Sequence, residues 1–427
     1  MTFALGVVPV ALLLLGFPVF LVLLAGVTVA LVFFMHVPLA ALHQNLFGSI
    51  NAFPLLAIPF FIYAGELMGR GSVAQRLVDF VQSGVGSVRG SLGVTTVGTA
   101  TIFGAISGVS AAAVATIGKV MFPAMKRAGY PEAFSAGLIT SVGAIDIIIP
   151  PSIPMIVYGA AAEESVPRLY AAGIFPGLLI ASFLALYVIW RAGREGFGKG
   201  EPFARRAFAH AALRGIWALG APVIILGGIY GGVFSPTEAA AVACVYAAFV
   251  TRFIFRELRW HDILEAAVAT VLFTAQILII VACAGVFAWL LTINQVPAAL
   301  VAWLQQLNVS AWMLLLVINI LLLLVGCFLD PLSSILLLTP LLIPMVKAVG
   351  IDTVHFGIVL TVNLAIGLFH PPFGINIFVA QSVLGIKLET IYRGIIPFVV
   401  IYLIALALIT YVPAISLLGV RLLLGFG

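Results

Sequence analysis

The sequence predicts an all-α polytopic membrane protein: an inverted repeat with two re-entrant hairpins and two proline-broken helices. Three observations lead there. The 427 residues are 63% hydrophobic and only 8% charged, with a mean hydropathy of +1.26; soluble chains carry about a quarter charged residues. Long stretches hold no Asp, Glu, Lys or Arg: everything before Glu66, then 90–118, 266–329 and 394–420. Apolar runs of about 20 residues cross a bilayer as helices, and the short alternating strands of an outer-membrane barrel are absent. Finally, prolines and glycines recur along the chain at a constant offset of 221 positions, as from Pro123 to Pro344.

Taken in order, residues 1–88 are expected to form the first half of a scaffold. The apolar pattern from Phe3 to Phe34 follows no basic leader, so it reads as membrane helix and not as a cleaved signal. Residues 89–190 are expected to carry the first hairpin and broken helix of a transport domain. Residues 191–306 are a cytoplasmic linker and the second half of the scaffold, and 307–427 hold the second hairpin and broken helix. The linker RAGREGFGKGEPFARRAFAHAALRG, Arg191 to Gly215, is the most basic segment and is placed in the cytoplasm by the positive-inside bias. Arg70 to Arg89 and Lys119 to Arg127 read the same way, while AAEES, with Glu163 and Glu164, faces outward. The net charge of +5 sits in these short loops and so reports membrane orientation, not a nucleic-acid partner. Ser235, Pro236, Thr237 and Glu238 spell a helix start: N-cap serine, proline first, glutamate third. VAQRLVDFVQSGVGSVRG and VPAALVAWLQQLN are too short or too mixed to span and are read as interfacial amphipathic helices.

On the same offset Lys126 meets Lys347, Gly129 meets Gly350, Pro150 and Pro151 meet Pro371 and Pro372, and Gly173 and Pro176 meet Gly394 and Pro397. The loop of the first copy carries Lys119, Lys126 and Arg127, whereas the second sets Lys347 against Asp352. The charge rule therefore puts the copies on opposite sides, the inverted plan common among secondary transporters. Each copy is an apolar arm, a polar tip (SGVS or LDPLSS), a returning arm, and a span interrupted at a proline pair. Proline removes a backbone donor and clashes with the preceding turn, so each pair breaks its helix.

Broken backbone at membrane depth is tolerated only where it is buried or lines a wet cavity. The freed carbonyls suit a hard cation, and the freed N–H groups suit an anion. The candidate substrate and ion site is therefore Ser107, Gly108 and Ser110 at the first tip and Pro150, Pro151 and Ser152 at the first break. The second tip supplies Asp330 and Ser333, and the second break supplies His370, Pro371, Pro372, Gly374 and Asn376. Na⁺ is expected on Ser107, Ser110, Asp330 and the backbone near Pro150 and Pro371. Each assignment has a plainer competitor: serines that glue helices together, Asp330 as the cap of the following arm, and His370 as a packing histidine. Asp146, four residues before Pro150, faces the site or pairs with a cation. Cys244, Cys283 and Cys327 read as small packing residues. The histidines, at 36, 43, 210, 261, 355 and 370, show no metal-binding spacing, and no Walker A sequence is present. No cofactor is expected beyond Na⁺ as coupling ion, and no enzyme: the aspartates lack the Gly-x-Gly-Asp setting of an intramembrane protease.

The segments GVFSPTEAAAVA, SGVSAAAVATIG, IIIPPSIPMIVYG, FLDPLSSILLLTPLLIPMVKAVGIDTVHFGIVLTVNLAIGLFHPPFGINIFVA and YRGIIPFV together resemble the large membrane subunit of TRAP transporters, the tripartite ATP-independent periplasmic family. The resemblance spans essentially the whole chain. It implies a Na⁺-driven elevator importer of organic anions in the bacterial inner membrane. It also implies two partners, a small four-helix membrane subunit and a soluble extracytoplasmic substrate-binding protein. Carried over, its site positions are Ser107, Gly108, Ser110, Pro150 to Ser152, Asp330 and Pro371 to Asn376. This chain departs from the common pattern at His370, where threonine is usual, and at Asp146, where a small residue is usual. The alternative is a divalent-anion/Na⁺ symporter that needs no binding protein.

Overall fold

The computed structural model describes residues 6–35, 37–198, 200 and 202–425; Phe3, His36, Lys199 and Glu201 lie outside them. Regular structure among the described residues is helical throughout. The chain begins with α1 (Val8–Leu14), α2 (Val19–Phe34), α3 (Leu39–Ile50), α4 (Ala57–Arg70) and α5 (Val73–Val85). Then come α6 (Ser91–Ser107), α7 (Ser110–Arg127), α8 (Glu132–Asp146), α9 (Ile153–Ala162) and α10 (Val166–Glu195). The middle consists of α11 (Arg205–Tyr230), α12 (Pro236–Phe249), α13 (Trp260–Ile293) and α14 (Val296–Gln306). The chain ends with α15 (Ala311–Gly326), α16 (Pro331–Ala348), α17 (Thr353–Gly367), α18 (Ile375–Leu384), α19 (Leu388–Tyr411) and α20 (Pro413–Leu424). Among the described residues six helices are long and apolar enough to cross a membrane, and a seventh span arises if Ala40–Ile50 and Phe53–Arg70, bent by 62° at their junction, count together.

The repeat is carried into the structure element by element. α7 and α16 are both 18 residues long, α8 and α17 both 15, α9 and α18 both 10. Pro123 and Pro344 sit inside matching arms, Pro176 and Pro397 inside matching long helices. Both proline pairs interrupt their helices as the sequence predicts, and the Pro150–Pro151 and Pro371–Pro372 peptide bonds are both cis. Gly108, at φ +61°, ends α6 in a left-handed turn that side chains disfavour, and Val109 in extended backbone starts α7. At the other tip Asp330 caps α16, accepting from the backbone N–H groups of Leu332 at 3.0 Å and Ser333 at 3.1 Å.

The copies do not pack as separate bodies. The returning arm α7 of the first lies on α18 of the second, and α16 lies on α9. α8 lies on α19, and α17 on α10. Apolar side chains gain little from leaving lipid for protein, so helix association here relies on close backbone approach. At the α8–α19 crossing a Cβ on Gly137 would stand 2.1 Å from the Gly394 carbonyl, which leaves room for nothing but hydrogen.

Around this intertwined unit, α13 packs on α2, α3 and α4, α4 packs on α12, and α11 packs on α5 and α12. The capping box is present at α12: Ser235 Oγ accepts from Glu238 N at 3.3 Å, and Glu238 Oε2 accepts from Ser235 N at 2.8 Å. α5 buries Val73, Ala74, Leu77 and Val78 and packs on α6 and α11, so its apolar face meets protein. At its start Glu257 receives hydrogen bonds from Ser72 and Arg76. Burial works to raise the Glu257 carboxyl, but the Ser72 and Arg76 bonds outweigh it and hold it below the usual range.

Candidate functional site

Both tips and both breaks reach one cavity of about 330 Å³. Gly108, Val109 and Ser110 line it from the first tip, and Ile147 and Ile153 from the two sides of the first break. Asp330, Pro331 and Leu332 line it from the second tip, and Leu368, Ile375 and Asn376 from the second break. The opposite wall is α13, through Phe273, Gln276, Ile277 and Ile280.

The lining residues Ser110, Ile153, Pro331 and Ile375 are the first residues of α7, α9, α16 and α18. Four helix N-termini thus border the same space, those of α9 and α16 already capped by Ser152 and Asp330. The residues Gly108, Ile147 and Leu368, which close α6, α8 and α17, border it too and supply carbonyl ends. Asp330 is the one charged side chain among the lining residues, and no Lys, Arg or His lines the cavity. Helix-end dipoles and the Asp330 carboxylate together set its electrostatics.

The deepest connection joins the two copies. Asn376, fully buried, donates from Nδ2 to Ser110 Oγ at 2.8 Å and to the Thr140 carbonyl at 3.3 Å. Ser110 Oγ in turn donates to the Gly143 carbonyl at 2.7 Å. Gly143 has to be glycine: a Cβ there would sit 2.9 Å from Ser110 O and 3.1 Å from Asn376 Nδ2. Ser107, also buried, donates from Oγ to Asp146 Oδ2 at 3.1 Å and accepts from Val109 N at 3.2 Å. It lines a neighbouring cavity of about 350 Å³, with Glu66, Val109 and Phe273. Farther along α13, Val281, Ala284, Gly285 and Ala288 line a third space, of about 200 Å³, against Ala160, Ala161 and Leu336. The seam between α13 and the intertwined unit is therefore loosely filled along much of its length.

The remaining predicted residues are placed as follows. Ser152 is buried, caps α9 by accepting from Met155 N at 3.3 Å, and donates to the Ile147 carbonyl that the break frees. Pro150 and Pro151 are buried beside it, and a Cβ on Gly108 would stand 2.7 Å from the Pro151 carbonyl. Ser333 is buried with an unpartnered Oγ. His370 points away from the cavity: its Nδ1 lies 3.2 Å from Cys327 Sγ and also against the Pro371 carbonyl. Cys327 is thus more than filler. Pro371 is half-buried, Pro372 is exposed, and Gly374 approaches the Leu368 carbonyl to within 2.5 Å of where a Cβ would be. None of Pro150, Pro151, Ser152, Ser333, His370, Pro371, Pro372 or Gly374 lines the cavity; they shape the backbone that does. Among the described residues one metal-type grouping lies elsewhere, the exposed His261 and Glu265 with the half-buried Asp262, but the two carboxylates already serve the Arg259 amide and Arg70.

Sequence reasoning missed the α13 wall. Its signal was present: Gln276 is the only Asn, Gln or charged side chain between Glu265 and Asn294. A single amide in an apolar helix says it needs a polar neighbour but not which one.

The family model for the tripartite ATP-independent periplasmic transporter, DctM component, matches residues 7–415. The chain is 42% identical over 373 residues, 87% of each chain, to the C4-dicarboxylate TRAP transporter large permease protein DctM of Pseudomonas aeruginosa. It is 38% identical over 422 residues, 96% of each chain, to the protein of the same name from Rhodobacter capsulatus. The isethionate TRAP transporter permease protein DctMQ of Oleidesulfovibrio alaskensis is 41% identical over 89% of this chain and 60% of its own, longer, sequence. Among solved structures, the YdaH transporter of Alcanivorax borkumensis shares the fold, with a TM-score of 0.66 at 17% identity over 98% of this chain and 99% of that one. A multi-pass helical protein with these relatives is a transport permease and not an enzyme: the chain belongs to the DctM family of tripartite ATP-independent periplasmic transporters, as a large permease component.

Proposed function

We propose that this chain is the Na⁺-coupled, elevator-type permease of an importer for small organic anions. The observation that carries the reading is the single cavity bordered by four helix starts and three helix ends, facing α13. Helix starts favour an anion without a basic side chain, and carbonyl ends beside Ser110 and Asp330 offer oxygens to Na⁺. Unpartnered buried oxygens at Asp146 Oδ1, Ser333 Oγ and Ser334 Oγ support cation ligation, since buried polar atoms rarely go unpaired. The substrate class rests on the relatives. C4-dicarboxylates and isethionate, for which these relatives are named, carry carboxylates or a sulfonate.

In this reading α6–α10 and α15–α20 move as one body past a scaffold of α1–α5 and α11–α14. The loosely filled seam along α13 supports such sliding. The charge pattern favours opposite orientations for the two hairpins, each re-entrant, in the inner membrane of a bacterium. A small membrane subunit completes the scaffold, and a soluble binding protein delivers the substrate from outside. The test is uptake by proteoliposomes holding this chain and its small partner. Uptake should require an inward Na⁺ gradient and the cognate binding protein, and full uptake with neither present would sink the reading.

A further inference from the structure

Asp146 ends α8, four residues ahead of Pro150. It is fully buried, its Oδ2 accepts from Ser107 Oγ at 3.1 Å, and its Oδ1 has no hydrogen-bond partner. No Lys or Arg occurs between Arg127 and Arg168, and no ion pair among the described residues includes Asp146. The carboxylate also stands at the negative end of its own helix. A side chain so placed is neutralised either by a proton or by a cation.

An ionised carboxylate in this place leaves Oδ1 without a donor, a gap that a bound cation would fill. The oxygens around it are spaced as the ligands of a cation are. Asp146 Oδ2, Ser107 Oγ and Val109 O follow one another at 3.1 and 3.5 Å. Neighbouring oxygens around a hard cation bound at about 2.4 Å stand about 3.4 Å apart. Gly104 lets α6 close over this corner, since a Cβ there would lie 2.9 Å from Asp146 Cα.

We propose that Asp146 is the charged ligand of a Na⁺ site at the first tip, closed by Ser107 and the backbone of Val109. The inference rests on the Na⁺-coupled reading and sharpens it. The position corresponding to Asp146 in the second copy is Gly367, so any cation held there meets no carboxylate from the broken helix. The two halves then bind cations unequally, and one Na⁺ crosses with its charge cancelled by protein instead of by substrate.

The test compares wild type with Asp146→Asn and Asp146→Gly, each with its membrane partner in proteoliposomes. The Asn variant keeps the Ser107 contact, so a merely structural role would leave Na⁺ dependence intact. Half-saturating Na⁺ should rise at least tenfold in both variants while the substrate KM at saturating Na⁺ changes less than twofold. Unchanged half-saturation in Asp146→Asn overturns the inference. A wild type indifferent to Na⁺ overturns the parent reading instead. Should neither variant assemble, labelling of wild type by a hydrophobic carbodiimide decides: Na⁺ should slow modification of Asp146 at least fivefold relative to choline, and equal rates overturn the proposal.

Discussion

The two tip-and-break units share a skeleton but not a surface. At the first, Pro150, Pro151 and Ser152 are all buried, and the Ser152 hydroxyl reaches back to the Ile147 carbonyl. At the second, Phe373 takes the place of Ser152; it and Pro372 are exposed, and the turn is closed by Asn376 N donating to the Leu368 carbonyl at 2.9 Å. Phe373 packs on the exposed Phe328 of the second tip, ring centres 5.6 Å apart. The carboxylates are exchanged as well, Asp146 on the first break and Asp330 on the second tip. A repeat conserves the path of the backbone, which steric rules fix. The polar groups hung on it follow what each end faces.

The hardest test of the shared skeleton is steric. Gly108→Val would push a side chain into the Pro151 carbonyl from a left-handed backbone, and Gly374→Val would do so against the Leu368 carbonyl. Each should cost at least about 3 kcal/mol and abolish uptake. Near-wild-type melting of either variant would show that the breaks are pliable. Next comes the link between units. Asn376→Ala takes one donor from Ser110 Oγ and from the Thr140 carbonyl, each of which keeps another partner, a loss of about 0.5–1.5 kcal/mol. Thermal unfolding should register it, and an unchanged melting temperature would mean the units stand independently.

Smaller effects separate the carboxylates. Asp330→Ala removes a cap worth about 1 kcal/mol, whereas Asp330→Asn should keep it. If Na⁺ dependence weakens in the Asn variant while melting does not, Asp330 serves the cation as well as the helix. Unchanged Na⁺ affinity would confine it to capping. The slightest change is expected at His370→Ala, which loses only the half-buried contacts to Cys327 and Pro371. Uptake should stay within about threefold of wild type, with at most about 1 kcal/mol lost. A collapse of transport would make the second unit as demanding as the first.

Much of this was readable from the residues because proline and glycine act locally. The 221-residue offset predicted matching arms, and α7, α8, α16 and α17 start and stop in register with it. Ser235 and Glu238 announced their cap, and Asp-Pro announced that of α16. What the residues could not show is which arm lies on which partner. The pairing of Ser110 with Asn376, and of α8 with α19, depends on backbone clearances at Gly143 and Gly137, which look like ordinary glycines in an apolar run. Nor did spacing reveal that Ser107 would spend its hydroxyl on Asp146, or that His370 would turn toward Cys327 and away from the cavity.

The Ser110–Asn376 bond also sets a schedule for making the protein. Its ends are 266 residues apart, and ribosomes add about 5–20 residues per second. The first tip therefore emerges roughly 15–50 s before the amide that satisfies it. Through that interval the Ser110 hydroxyl has the Gly143 carbonyl to donate to, but its oxygen lacks the amide donor that ties the two copies together. Half of this permease is a waiting room for the other half, and truncated chains should be recognised by the cell as unfinished even when every early helix has formed.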